Sequence, residues 1–222
     1  MSNIVDNLVE QYIRKTLIKN KGLLEELENY ASENNVPIVH KEVAELLKVM
    51  LKIQRPKRIL EVGCAIGYSS ILFAKALEGN CEIITVERNE DMIKAAKENI
   101  KKAGFENVIT ILEGDAVEKL KEVEGPFDMI FLDAAKGQYK LFYDMVIDKL
   151  KIDGVLISDN ILYKGMVASD EYVIRRKKTI VKRMRNYLDY ICNCNYLDTS
   201  LLPMGDGVAI SYKKTKEVKV NE

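Results

Sequence analysis

The chain has 222 residues, 47% of them hydrophobic and 31% charged, and its 34 basic residues balance 34 acidic ones. That length suits one α/β domain of ordinary size, and the composition is that of a soluble globular protein. A zero net charge excludes a surface that is basic all over, so any attraction to nucleic acid has to be local.

Helical periodicity comes first. Ile4, Leu8 and Tyr12, then Leu23, Leu24, Leu27 and Tyr30, then Val43, Leu46, Leu47 and Met50 predict three helices before any strand, a cap over residues 1–55. After Pro56 the texture changes. RILEV, EIITVE, VITIL, FDMIFLD and GVLIS read as strands, separated by helices over about Tyr68 to Leu77, Glu90 to Ala103, a short third one, and Tyr139 to Leu150. Strands alternating with helices mean a doubly wound parallel sheet. A further helix is expected from about Glu171 to Ile191, followed by YLDTSLL, the turn MGDG and VAISY, an antiparallel hairpin at the sheet edge. The core of the domain thus spans 56–213, and the tail 214–222 is expected to fray.

The opening MSNIVDNLVEQYIRK places acids where a signal peptide needs an apolar run, and no segment approaches a membrane span. Cys64, Cys81, Cys192 and Cys194 form no regular framework and read as reduced thiols of a cytoplasmic protein. Zinc at the Cys192/Cys194 pair would need two more soft ligands, and the only histidine, His40, is far away in sequence.

RILEVGCAIGYSS is a strand, a tight glycine turn and a helix start, where an open parallel sheet places a ligand. Its glycines, Gly63 and Gly67, are spaced G-x-x-x-G, which disfavours a pyrophosphate-binding dehydrogenase and suits a smaller zwitterion such as a methionyl group, with Glu61 as the acid nearby. Glu87 ends the second strand, at a place where a carboxylate accepts from ribose hydroxyls. Asp115, in EGDA with Gly114 before it, can face an adenine amine. Together the three acids at successive strand ends point to a nucleoside cofactor.

Two later strands also end in acids. Asp133 closes FDMIFL, and Asp159 with Asn160 closes GVLIS, an oxygen set that suits a hard divalent cation, magnesium or manganese. Such an ion would chelate two vicinal substrate oxygens and favour the oxyanion. Lys136, three positions after Asp133, is the candidate base, because a neighbouring dication favours the neutral amine.

LEVGCAIGYSS, TVERN and GDA resemble the class I S-adenosylmethionine-dependent methyltransferases, over about Lys57 to Tyr212. VPIVHKE, DAAK, SDN and PMGDGVAIS are similar to the metal-dependent O-methyltransferases of the catechol and caffeoyl-CoA group. DAAKGQY, DNILYKG and MGDG together resemble the bacterial tRNA 5-hydroxyuridine methyltransferases over essentially the whole chain. The resemblance implies a Rossmann-like fold with a seven-stranded, mostly parallel sheet. It implies Val39, Ser69, Glu87, Asp115 and Ala116 around S-adenosylmethionine, beside Asp133, and Lys136 as the base. It also implies a homodimer, and as partner a tRNA anticodon loop, whose unpaired wobble uridine can be splayed into a pocket.

A basic stretch supplies the expected RNA contacts. IRRKKTIVKRMR carries Arg175, Arg176, Lys177, Lys178, Lys182, Arg183 and Arg185, with Ile174, Ile180, Val181, Met184 and Leu188 free to face the sheet. Lys164, in DNILYKG, would extend the patch to the metal, and Tyr163 or Tyr139 could stack on a base. The rival readings are a catechol or caffeoyl-type O-methyltransferase and an RNA-binding module without catalysis.

Overall fold

A computed structural model describes residues 4–215, so the tail expectation beyond Thr215 lies outside the described residues. Three helices lead: α1 (Asn7–Thr16), α2 (Leu23–Asn34) and α3 (Lys41–Gln54). Asp6 caps α1 by accepting from the Leu8 and Val9 amides, and α3 stops at Arg55 in a left-handed turn before Pro56, which cannot continue a helix. Then β1 (Arg58–Val62), α4 (Tyr68–Ala76), β2 (Glu82–Glu87), α5 (Glu90–Ala103), β3 (Ile109–Glu113), α6 (Ala116–Glu122) and β4 (Phe127–Leu132) alternate. A short 3-10 turn, Lys136–Gln138, leads into α7 (Tyr139–Val146) and β5 (Leu150–Ser158). The chain closes with α8 (Lys178–Asn193), β6 (Leu197–Leu202) and β7 (Val208–Lys213).

The seven strands lie in the order β3-β2-β1-β4-β5-β7-β6. β1 to β5 pair in parallel, while β7 runs antiparallel to both β5 and β6. The order reverses beside β1, with β2 on one side and β4 on the other. The carboxyl ends of the strands on either side of such a reversal leave a crevice, and Glu87, Asp115, Asp133 and Asp159 stand at or just after those ends.

Alternation along β1 divides the core. Ile59 faces one layer, with Leu24, Leu27, Val43 and Leu47 from the N-terminal helices and Phe73 from α4. Leu60 faces the other, with Tyr143, Met184, Tyr187 and Ile191 from α7 and α8. The edge-to-face pair Phe73 and Phe131, 5.5 Å between centroids, adds about 1 kcal/mol to the burial of the first layer. The first helix is different: none of the residues of α1 is buried, and Leu8 and Tyr12 are 75% and 71% exposed. It is tied down through polar contacts instead, with Lys41 Nζ donating to the Arg14 and Leu17 carbonyls at 3.0 Å each.

Two expectations are corrected. The α-helix after Tyr139 tightens at Ile147 into a 3-10 turn, Ile147–Lys149, and β5 begins at Leu150, well before Gly154; the buried Lys213 ammonium donates to the Ile147 and Leu150 carbonyls at this junction. The basic stretch is not one helix from Glu171. Asp170–Tyr172 and Arg175–Lys177 are separate 3-10 turns, and α8 starts at Lys178 with no side-chain cap. Consecutive cations oppose the positive end of a helix dipole, so the helix begins only as the run ends. Ile174 is consequently 53% exposed, away from the sheet.

Candidate active site

The glycine turn after β1 forms the floor of a cavity of about 440 Å³, walled by Val39, His40, Gly63, Cys64, Ser69, Glu87, Gly114, Asp115, Ala116, Asp133, Lys136 and Asn160 among others. Gly63 has φ 104° and donates to the Val86 carbonyl; a Cβ there would collide with the Asp133 main-chain oxygen. A glycine is therefore required for the turn to reach the β4 end. Ala65 is held at φ 45° by the Glu87 carboxylate, which accepts from its amide and from the amides of Arg88 and Asn89, each at 2.9 Å. Glu87 thus shapes the loop and keeps about one of its four acceptor sites for a ligand. Asp115 caps α6 by accepting from Val117 and faces the cavity with its outer oxygen 3.7 Å from Arg88. This is a cradle with an acid at two rims, and a nucleoside bearing a zwitterionic tail fits it.

Glu61 is placed differently from expectation. It shares the face of β1 that packs on α4 and lies fully buried behind the loop, outside the cavity wall, accepting from the hydroxyls of Ser70 and Thr85. Burial pushes its carboxyl up to about 7 against the pull of the Ser69, Ser70 and Thr85 hydroxyls. A raised acid costs nothing below its unfolded value of about 4.3 and destabilises the fold as pH rises through its folded value. The melting temperature of the metal-free protein should therefore fall as pH rises from about 4 through about 7, and Glu61→Gln should flatten that fall. Calorimetric pH series on both proteins check this; superimposable slopes would refute it.

At the ends of β4 and β5 the predicted oxygen set comes together. These strands are neighbours, Leu132 paired with Ser158, so the next residues, Asp133 and Asp159, emerge side by side. Asn160, at φ 59°, donates its amide to Asp133 Oδ1 at 2.8 Å. Asp159 is buried, and its Oδ2 has no hydrogen-bond partner among the described residues. Burial raises the carboxyls of both acids, and for Asp159 the nearby Asp133 raises it further. Two carboxylates driven toward protonation, with one oxygen orphaned, are a donor set that a hard divalent cation would satisfy.

Lys136 sits on the 3-10 turn above this pair, half-buried. Its Nζ is 3.6 Å from Asp206 Oδ2 and 5.4 Å from the centre of the Tyr163 ring. The Asp206 contact is invisible to local pattern, because it joins the β4 end to the β6–β7 turn. Neither stacking candidate lies open: Tyr139 is a core residue, its hydroxyl donating to the Asp159 carbonyl at 2.7 Å, and Tyr163 is buried with Met166 and Val181.

No motif in the chain announces a polar knot around His40, which lines the cavity. Glu10, His40 and Glu42 bring ligand atoms within 4.8 Å of one another, yet Arg14 fills their centre. It donates to both Glu42 oxygens at 2.8 Å, pairs with Glu10 at 2.5 Å and lies 2.6 Å from His40 Nδ1. A guanidinium cannot accept, so Nδ1 accepts and the imidazole proton sits on Nε2. Although burial works to raise it, the Arg14 hydrogen bonds hold the Glu42 carboxyl below the usual range. The guanidinium therefore stands where an ion would.

Of the basic residues, Lys164, Arg175, Arg176, Lys178, Lys182 and Arg183 are exposed. Lys177 lies 5.9 Å from the Tyr163 ring centre, and Arg183 reaches the Gly137 carbonyl at 3.4 Å, beside Lys136. Arg185 is not part of this surface, since it binds Asp170 and the Val167 and Met166 carbonyls.

Residues 14–214 match the family described as O-methyltransferase. The chain belongs to this O-methyltransferase family. A Staphylococcus aureus protein provisionally named as a caffeoyl-CoA O-methyltransferase is 37% identical, with a TM-score of 0.87 over 93% of this chain and 100% of that one. The Bacillus cereus O-methyltransferase, solved in complex with S-adenosylhomocysteine, is 26% identical, with a TM-score of 0.81 over 93% of this chain and 97% of its own. The caffeoyl-CoA O-methyltransferase of Medicago sativa is 28% identical over 90% of this chain and 86% of its length. The sheet order and hairpin are thus the Rossmann-like methyltransferase fold, and the O-methyltransferase family membership gives the cavity its reaction class.

Proposed function

We propose that this O-methyltransferase methylates the 5-hydroxyl of 5-hydroxyuridine at the tRNA wobble position, giving 5-methoxyuridine. S-adenosylmethionine would lie in the glycine-turn cradle against Val39, Ser69, Glu87 and Asp115, and magnesium or manganese would be held by Asp133, Asp159 and Asn160. When bound, they supply the methyl group and a bias toward the substrate oxyanion. The chain's own residues do the rest. Lys136 Nζ receives the proton of the acceptor hydroxyl, and Glu87 keeps the loop under the reacting end rigid.

The observation that favours an RNA substrate is the Tyr163 ring, which has Lys136 at 5.4 Å and Lys177, from the basic turn, at 5.9 Å. A cationic surface that starts at the candidate base suits a substrate whose reacting base is carried on a phosphate chain. The rival is a small catechol or caffeoyl-CoA-like acceptor, favoured by the names of the relatives. Four Gln substitutions, at Arg175, Arg176, Lys177 and Lys178, separate the two. Every cation removed from a phosphate should lower the slope of log affinity against log salt by about 0.7 to 0.9. Filter binding of tRNA across a salt series should show weaker, flatter binding for the variant. An unchanged slope would reduce the stretch to a solvated face.

A further inference from the structure

We infer that Asp206 is the positioning residue of the base, so that Lys136 works as half of a Lys136–Asp206 pair; the inference rests on the reading of Lys136 as the base. Asp206 is 7% exposed, on the turn between β6 and β7. Its two oxygens face two different tasks. Oδ2 lies 3.6 Å from Lys136 Nζ, and Oδ1 accepts from the Lys164 amide.

The turn that carries this carboxylate is clamped from both sides. Gly205, at φ 57°, packs so closely on α3 that a Cβ would come within 2.9 Å of Val43 and 3.3 Å of His40. On the other side the Leu162 amide donates to the Asp206 carbonyl at 2.9 Å, and the Ile161 amide to the Gly207 carbonyl at 3.0 Å. The loop so held contains Tyr163 and Lys164 in left-handed backbone, φ 46° and 58°, which non-glycine residues adopt only when their surroundings hold them there. Tyr163 presents its ring to the same ammonium. The lysine is therefore bracketed by a fixed carboxylate and a fixed ring.

This arrangement matches what the proton transfer demands. The acceptor O–H bond breaks, its oxygen forms the new bond to the methyl carbon, and the donor leaves as a neutral thioether. The proton bonds to Lys136 Nζ, which changes from neutral amine to ammonium. A carboxylate at 3.6 Å favours that product and fixes the direction from which the amine reaches the hydroxyl. Asp206 acts only through Lys136 and the loop.

Asp206→Asn tests this, because its Oδ1 still accepts from the Lys164 amide while the charge facing Lys136 is gone. Methyl transfer is measured with whichever acceptor, hypomodified tRNA or catechol, takes the label, in the parent and in a Lys136→Met background, together with melting temperatures. We expect kcat to fall about tenfold or more in the parent background, with KM for both substrates within about twofold, in the range of coupling that contacting residues show. In the Lys136→Met background the second substitution should cost nothing further, and Asp206→Glu should recover part of the loss. Parental kcat in Asp206→Asn would overturn the pairing while leaving the base reading intact. Equal losses in both backgrounds would overturn it too, marking a purely structural role. Parental kcat in Lys136→Met alone would overturn the base reading and the pairing with it.

Discussion

Lys136→Met should lower turnover by about two to four orders of magnitude, the range that general-base catalysis contributes, with cofactor affinity little changed. Methionine keeps the unbranched stem that packs by Tyr163 and removes only the amine, so a collapse of the turn is not expected. Lys136 lines the same cavity from the turn after β4, and the loop after β1 and the ends of β2 and β3, which build the cradle for the cofactor, keep all their own residues. Single-turnover assays and calorimetric titration with S-adenosylhomocysteine separate the two effects. Parental turnover across the pH range would show that chelation alone ionises the hydroxyl.

Asp159→Ala should abolish the metal response and leave the cradle standing. In metal-liganding sites even outer partners cost about 10- to 100-fold, so loss of a ligand should cost at least the upper figure. The protein without metal should respond in the opposite sense. Burial and Asp133 raise the Asp159 carboxyl, so without metal this acid costs the fold stability as pH rises above the ordinary carboxylate range, and the cost is relieved as pH falls. Magnesium should therefore raise the melting temperature of the parent, since a ligand stabilises the state it binds, and leave that of Asp159→Ala unmoved. Full activity of the variant in EDTA, or an equal magnesium shift in both proteins, would contradict the assignment.

Much of this site is legible in the chain because its parts are local. A strand that ends in an acid, a glycine turn that opens a helix and a D-x-x-K spacing are short patterns, and the parallel sheet brings their ends together whatever the loops do. The residue range Glu90–Ala103 of α5 is legible for the same reason, with Asn89 capping one end and Gly104 closing the other. What escapes the pattern is geometry between distant segments. Glu61 reads as a cavity acid until the alternation of β1 turns it onto α4. Asp206 reads as one residue of a hairpin turn until β7 pairs with β5 and carries it to Lys136. The Arg14 knot joins α1 to the start of α3, a contact that no local period announces. Hydrophobic spacing alone puts the start of α8 too early, because it says nothing of how a run of cations meets a helix dipole.

The acceptor is what separates a tRNA-modifying enzyme from one that acts on a small catechol. Incubating the protein with methyl-labelled S-adenosylmethionine and magnesium, together with tRNA from cells lacking the 5-methoxyuridine modification and an equimolar catechol, lets the two substrates compete directly. We expect label in the tRNA alone, recovered as 5-methoxyuridine after nuclease digestion and abolished on adding EDTA. Label in the catechol with none in the tRNA would contradict it.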